Sequence, residues 1–193
     1  MNVVGIEELE HSFVLKNFDF EIDVSENGFI RNINVVNSVD SIVCNPSFIL
    51  SISNGLSEPF VSQLSSLVSF EFDADFGKVK RIFTIKEKAF VMDDIFVATK
   101  GSQVDYELDF CFRGFNYFMV GRNRFSIDEA VNVDANDFLL VSEKQDIYLG
   151  CIFKEHMELN FVKEKEELNF KLLKKINLDR IDMFMLSYTF SLV

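Results

Sequence analysis

The sequence has no tryptophan, and it has only two prolines and two histidines in 193 residues. Its three cysteines, Cys44, Cys111 and Cys151, are an odd number with wide spacing and no CxxC pair, which argues against a disulfide framework. The eight glycines are scattered singly and form neither a G-x-G-x-x-G nor a Walker pattern. No apolar run is long enough to predict a membrane helix. Phosphate-loop enzymes, disulfide scaffolds and membrane-spanning helices are therefore disfavoured.

Basic residues are scarce in the first part of the chain. Residues 1–77 contain 2 basic and 12 acidic residues, a net charge of −10, whereas residues 78–193 contain 17 basic and 19 acidic residues, a net charge of −2. The total of −12 argues against binding to a phosphate backbone, so we expect no nucleic-acid partner. The asymmetry indicates a basic partner, contact between two copies of the chain, or simply an acidic hydrated surface.

The residues needed for nucleophilic catalysis are also few. The histidines are His11 and His156, no G-x-S-x-G is present, and no cysteine stands in a nucleophile motif. We therefore expect a protein that is not an enzyme and has no cofactor. The opening stretch "MNVVGIEELEH" becomes acidic within seven residues and lacks the pattern of a secretory leader, so we expect a reducing, cytoplasmic environment and no membrane partner.

Phenylalanine and period-two alternation are abundant. The 23 phenylalanines supply large apolar side chains without polar atoms that need partners. In "QVDYELDFCF", residues 103–112, apolar side chains alternate with mostly acidic ones, and "FDFEIDVSENGFIRNINV" reads as two strands around an Asn-Gly turn. The second of these strands is predicted to place Phe29, Arg31, Ile33 and Val35 on one face. About ten such strands predict one all-β domain over residues 1–193, an antiparallel β-sandwich or barrel.

Two segments also fit a helix. "EPFVSQLSSLV", residues 58–68, has apolar residues in a helical stripe and a proline suited to a first turn. Residues 164–176 have Leu168, Leu172 and Ile176 four apart, but Leu168, Phe170 and Leu172 fit a strand equally well. The sequence thus predicts one or two short helices and leaves residues 164–176 open between the two structures.

One carboxylate cluster and one arginine pair are candidate sites. Glu71, Asp73 and Asp75 lie on one face of a predicted strand and are the best candidates for a metal site, although their spacing lacks the pattern of a calcium-binding loop. A hydrated acidic face explains them more simply, so we expect no bound metal. Arg122 and Arg124 flank a turn where they would contact an anion or form a polar hairpin tip.

The run "KVKRIFTIKEKAFVMDDIFVATKGSQVDYELDFCF" resembles the sandwich layer of heparinase-type polysaccharide lyases, in which an arginine-bearing strand leads into a strand that ends in an aspartate-containing turn. The resemblance covers about 35 residues and includes no catalytic motif. The helical barrel that supplies the active site of those lyases has no counterpart in the sequence. The resemblance therefore implies a sandwich but no activity.

The C-terminal stretch "MFMLSYTFSLV" has eleven residues without a charge. Left as a free edge it would promote aggregation, so it is predicted either to close the core or to contact a second copy. The candidate interface side chains are Phe184, Leu186, Tyr188, Phe190 and Leu192. We expect an acidic, oligomeric structural subunit that acts through protein–protein contacts. The alternative is a carbohydrate-binding or accessory β-sandwich module, against which the lack of tryptophan counts.

Overall fold

The protein is an antiparallel β-sandwich, as the alternation predicts. The computed structural model describes residues 4–36, 41–44, 50–51, 56–164, 167–179 and 182–193; of residues 41–44, 50–51, 109–113, 163–164 and 167–169 it describes the backbone only. Within these ranges there are strands and turns but no helix, so the expectation of one or two short helices is wrong. The strands are β1 (Gly5–Leu9), β2 (Ser12–Lys16), β3 (Phe20–Ser25), β4 (Ile30–Val35), β5 (Ser41–Cys44), β6 (Leu50–Ser51), β7 (Phe60–Leu64), β8 (Leu67–Ala74), β9 (Gly77–Ile85), β10 (Ala89–Ala98), β11 (Ser102–Arg113), β12 (Tyr117–Val120), β13 (Asn123–Ser126), β14 (Val131–Ser142), β15 (Ile147–Glu164), β16 (Glu167–Leu178) and β17 (Met183–Leu192).

The strands form two facing layers. In the first layer β7, β8, β9, β10 and β17 pair in that order, and β17 continues onto the first part of β15. In the second layer β1 to β5 pair consecutively, β5 and β6 pair with β11, β11 pairs with β16, and β16 pairs with the second part of β15. Rings from the two layers meet between them, as where Phe13 on β2 packs against Phe70 on β8 with centroids 5.7 Å apart. The apolar faces of both layers therefore share one core.

β15 belongs to both layers. Its residues Leu149–Phe153 pair with β17, and its residues Glu158–Glu164 pair with β16. β14 follows β15 along its other edge, and the register between them shifts at Ala135/Asp137, which marks a β-bulge. A bulge bends a strand and increases its twist. The two long strands can therefore pass from one layer to the other, and β15 leaves β16 at the point where it turns towards β17.

The inward positions of the alternating strands are buried as expected. On β11 the side chains of Val104, Tyr106 and Leu108 are 1–2% exposed. The Asn-Gly hairpin between β3 and β4 is also confirmed, since Gly28 has φ 74°, a conformation that favours glycine in such turns. In that hairpin Arg31 is not on the face of the buried Ile33, because the register shift opposite Asp23/Val24 makes Arg31 an extra, outward residue.

Both segments that fit a helix are strands. Residues 58–68 contain β7 and the start of β8. A two-residue turn joins these strands, and Leu64 and Leu67 lie opposite each other on either side of it. Of residues 164–176, residue 164 ends β15 and residues 167–176 belong to β16, which is paired on both sides, while residues 165–166 lie outside the described part of the chain. A helix at either place would leave a neighbouring strand without its backbone partner, and these hydrogen bonds override the local helical spacing. In the described parts of the chain no helix is long and apolar enough to span a membrane.

Candidate functional site

A salt bridge lies between the two layers. Arg81 on β9 and Asp94 on β10 are directly opposite each other, and their side chains are 2% and 0% exposed. Nε and Nη2 of Arg81 donate to the two carboxylate oxygens of Asp94 at 2.6 and 2.7 Å. Nη1 donates to the carbonyl oxygen of Gly28, in the turn of the opposite layer, at 3.2 Å. The guanidinium therefore joins the two layers, and its buried charge has a bidentate partner.

Two stacked tyrosines extend this network. The hydroxyl of Tyr106 donates to Oδ2 of Asp94 at 2.6 Å. Tyr188 on β17 stacks beside Tyr106 with centroids 6.3 Å apart, but its buried hydroxyl has no partner of hydrogen-bond geometry in the described part of the chain. Burial and then the negative charge of Asp94 raise the pKa of both tyrosines well above the usual value. Both hydroxyls therefore remain protonated at neutral pH.

Replacement by phenylalanine is expected to have different effects at the two tyrosines. Tyr106→Phe removes a hydrogen bond to a buried carboxylate and is expected to lower the free energy of unfolding by about 1.5–3 kcal/mol. Tyr188→Phe removes a buried hydroxyl without a well-formed hydrogen bond, so it is expected to leave stability unchanged or to raise it by about 1 kcal/mol. Urea denaturation of both variants measures the difference. Equal losses of stability would contradict the assigned hydrogen-bond pattern.

A polar groove crosses the surface where β15 separates from β16. One part, of about 360 Å³, lies beside β11. An adjoining part, of about 510 Å³, lies beside β14, and the two parts share Glu158, Leu173, Lys174 and Lys175. Tyr106 also lines the first part, so the buried network and the groove share this residue. The remaining lining residues are Asp105, Glu107, Asn132, Asp134 and His156.

The groove opens because residues 154–157 of β15 lie between the part that pairs with β17 and the part that pairs with β16. Lys174 crosses this gap: its Nζ donates to the carbonyl oxygen of His156 at 3.0 Å and lies 3.3 Å from Oε2 of Glu155. The lysine therefore satisfies a carbonyl group that lies between the two paired parts of the strand. Lys175, the next residue, is exposed at the surface of the groove.

The side chains of β14 and β15 place hydrogen-bond donors beside acceptors. Nδ2 of Asn132 donates to Oε1 of Glu158 at 3.2 Å. Nδ1 of His156 lies 3.8 Å from Oδ1 of Asp134, beyond hydrogen-bond distance, and these two side chains are 67% and 75% exposed. Carboxylate, amide, imidazole and amine groups thus face solvent together. Such a surface matches a ligand that presents several hydroxyl groups, each of which both donates and accepts.

The predicted acidic cluster lies elsewhere, on the outer face of the first layer. Glu71 accepts a hydrogen bond from Lys78, which lowers the pKa of Glu71, and Asp73 lies opposite Lys78 in the strand register. Asp75 is exposed in the turn after β8. Among the described residues, no group of three His, Cys, Asp or Glu side chains is arranged to hold a metal ion. That the protein folds without metal stays a prediction.

The C-terminal strand is paired on both sides within the same chain, with β10 and with β15. Leu186, Tyr188 and Phe190 are at most 1% exposed, whereas Phe184 and Leu192 are half-buried at the margin of the core. The strand therefore closes the core, which is one of the two arrangements that its sequence predicts. Self-association through its side chains stays a prediction.

Of the remaining candidates, Arg122 is exposed in the turn between β12 and β13, Arg124 contacts neighbouring side chains, and Cys151 is buried. The side chain of Arg124 lies over the ring of Tyr117, 3.6 Å from its centroid, and donates to Glu143 at 3.2 Å. Cys151 is buried, and burial raises the pKa of its thiol well above the usual value, so it is a poor nucleophile. The side chains of Cys44 and Cys111 lie outside the described part of the structure.

The buried network and the groove are not among the candidates that the sequence yields. In the alternation of its strand, Arg81 falls on the same face as the apolar residues Val79 and Phe83. Asp94 falls on the same face as Met92 and Phe96. Two opposite charges at core-facing positions of consecutive strands are a sequence signal that would have identified the pair. The groove has no comparable signal, because its residues come from four strands, of which β11 is separated in sequence from β14, β15 and β16.

No protein-family model matches the sequence, and no curated protein matches it. Solved structures do resemble the fold. A galactose mutarotase-related enzyme from Lactobacillus acidophilus has a TM-score of 0.66 at 8% identity, over 94% of this chain and 97% of that one. The 4-alpha-glucanotransferase from Thermococcus litoralis has a TM-score of 0.65 at 7% identity, over 99% of this chain but only 39% of that one.

A heparan sulfate lyase from Pedobacter heparinus has a TM-score of 0.58 at 8% identity, over 97% of this chain and 36% of the lyase. The chain thus spans well under half of the transferase and of the lyase. At these identities the likeness shows the sandwich fold and nothing finer.

Proposed function

We propose that this protein is a carbohydrate-binding module and that the polar groove across β11, β14, β15 and β16 holds the saccharide. The observation that carries the proposal is the convergence of carboxylates and amines from separate strands around Leu173 in the part of the groove beside β11, of about 360 Å³. A sugar ring needs both donors and acceptors for its hydroxyls and a small apolar surface for its C–H groups. The names of the fold's structural neighbours, which refer to carbohydrates, add support.

The charge of the groove favours neutral sugars. Asp105, Glu107 and Glu158 line the part beside β11, whereas the basic side chains there are Lys174 and Lys175. Lys174 is already engaged by Glu155 and by a backbone carbonyl, and Glu107 is paired with Lys171, so Asp105 and Glu158 stand against Lys175. An anionic sugar would face an excess of carboxylates on a chain of net charge −12. We therefore expect neutral hexoses and their oligomers to bind more tightly than sulfated saccharides.

The test is a titration of the intact chain with D-galactose, maltooligosaccharides and heparan sulfate fragments, followed by ¹H–¹⁵N NMR. Shift changes are expected to concentrate in β11, β15 and β16. Glu158→Gln and Lys175→Ala each remove a charged hydrogen-bonding group and are expected to weaken binding at least about tenfold. Both side chains are exposed, so stability should change little.

Glu71→Gln and Lys80→Ala provide matched controls, because these residues form a cross-strand pair on the other layer. They are expected to leave binding unchanged. The absence of shift changes with every saccharide would refute the proposal, and so would equal losses in the groove and control variants. Polarimetry of freshly dissolved galactose tests the separate expectation of no catalysis, for which an accelerated anomerisation would be the contrary result.

The structural-subunit role predicted from the sequence is independent of this groove. It depends on contacts with another protein chain, and it stays a prediction. The described surface contains apolar side chains that are much more exposed than the groove's Leu173. Two of them, Phe60 and Leu64, lie on β7 at the edge of the first layer.

A further inference from the structure

β7 is an edge strand without the features that usually protect an edge. It pairs only with β8 among the described strands, and its register with β8 runs from Phe60 to Leu64 without a shift. Its sequence, FVSQL, contains no charge and no proline. Phe60 is 75% exposed and Leu64 is 69% exposed. Edge strands of soluble proteins normally carry a charge, a proline or a bulge that prevents pairing with another chain.

Two other strands with a single described partner, β1 and β13, are different, whereas β6, which pairs only with β11, has just two residues. β1 pairs only with β2 and contains Glu7 and Glu8, and β13 pairs only with β12 and contains Arg124. These charges discourage the addition of a further strand. Among these three edges, β7 alone is uncharged, and it bears two of the most exposed apolar side chains of the described surface. The lack of protection is therefore local to β7.

We propose that β7 pairs antiparallel with β7 of a second copy of this chain, about a twofold axis at Ser62. The sequence is self-complementary about that residue, because Phe60 and Leu64 lie two positions before and after it on the same outer face. An antiparallel register centred on Ser62 places each Phe60 opposite Leu64 of the other copy. A twofold interface requires this kind of self-complementarity, whereas a different partner would not.

The same register is also compatible with the residues that lie beside Phe60 and Leu64 across the neighbouring strands. Ser62 is hydrogen-bonded to Ser69 of β8 at 2.8 Å, so the axis would pass through a row of four small hydroxyl side chains. Glu58 would lie opposite Ser66 of the second copy, and Glu71 already lies opposite Lys80 of its own chain. No like charges are therefore brought face to face along β7. Cross-strand aromatic–aliphatic pairs contribute favourably in such positions.

The predicted association is weak and increases with salt. Five paired residues bury less surface than a standard interface, so dissociation constants of about 10–500 µM are expected. Each copy has a net charge of −12, and Glu8 and Glu10 lie beside Val61 and Gln63 in a surface depression next to β7. Salt screens this repulsion and strengthens the dimer. A basic peptide added to the same edge would instead bind less tightly as salt increases.

The experiment is sedimentation equilibrium of the intact chain from about 5 to about 500 µM, at low and high salt. The wild type is expected to be a monomer at the low end and increasingly a dimer at the high end. Phe60→Lys/Leu64→Lys places like charges opposite each other and is expected to weaken dimerisation more than tenfold. Both residues are exposed, so the variant should fold, which circular dichroism checks.

A charge-reversal mixture tests the register. Phe60→Glu/Leu64→Glu is also expected to be monomeric, and an equimolar mixture with the double-lysine variant is expected to form heterodimers, because opposite charges then meet. Met183→Lys alters an equally exposed apolar residue on β17 and is expected to leave dimerisation unchanged. A wild type that remains monomeric at the highest concentration would overturn the proposal. Dimers that persist in both double variants, or that are lost in Met183→Lys, would overturn it as well.

Discussion

Asp94→Ala is expected to cost about 3–5 kcal/mol of folding free energy, because it leaves the guanidinium of Arg81 buried without its partner. Total stabilities of natural proteins are about 5–15 kcal/mol, so this variant should be marginally folded or unfolded. The loss arises mainly from an uncompensated buried charge, not from the strength of the salt bridge itself. Urea denaturation followed by far-ultraviolet circular dichroism measures it.

Two further variants separate these contributions. Arg81→Met/Asp94→Leu removes both charges and keeps apolar volume, so it is expected to recover most of the stability. Glu71→Ala removes a carboxylate from the exposed pair with Lys78 and is expected to have only a small effect, because water and salt screen that pair. Equal losses for Asp94→Ala and Glu71→Ala would contradict the expected cost of leaving the Arg81 charge buried without Asp94.

Gly77→Ala is expected to lower stability by more than about 3 kcal/mol. Gly77 has φ 149°, and a Cβ added there would be 2.0 Å from the carbonyl oxygen of Val97. That oxygen belongs to the backbone of β10, so relief of the clash requires the β8–β9 hairpin to move away from β10. Such movement would disturb the strands that carry Arg81 and Asp94. Thermal and urea unfolding of the variant provide the measurement.

Two glycines serve as controls for Gly77. Gly121 has φ 58° but open space around an added Cβ, so Gly121→Ala isolates the conformational cost, about 1–2 kcal/mol. Gly5 has open space and no positive φ, so Gly5→Ala should be nearly neutral. If Gly77→Ala were no worse than Gly121→Ala, the close approach to Val97 would not limit the fold.

Much of the candidate site could not be predicted from the sequence. Asp105, Glu158 and Lys175 each read as an ordinary outward residue of an alternating strand. They become neighbours only because β16 pairs with β11 on one side and with β15 on the other. The spacing of residues within a single strand does not indicate which strands pair with one another. The same holds for the contact of Arg81 with Gly28, which are 53 residues apart.

The sequence by itself determined which side of most strands faces the core. Alternation is a local property, because successive side chains of an extended chain point to opposite faces, and it correctly placed Phe70, Phe72 and Tyr106 inside. The Asn-Gly turn was equally local. Only the tertiary structure decided that residues 58–68 form a hairpin, that β15 joins both layers and that Arg81 meets Gly28. These outcomes depend on backbone hydrogen bonds and buried contacts with strands outside each segment, whose free energy exceeds the segment's local preferences.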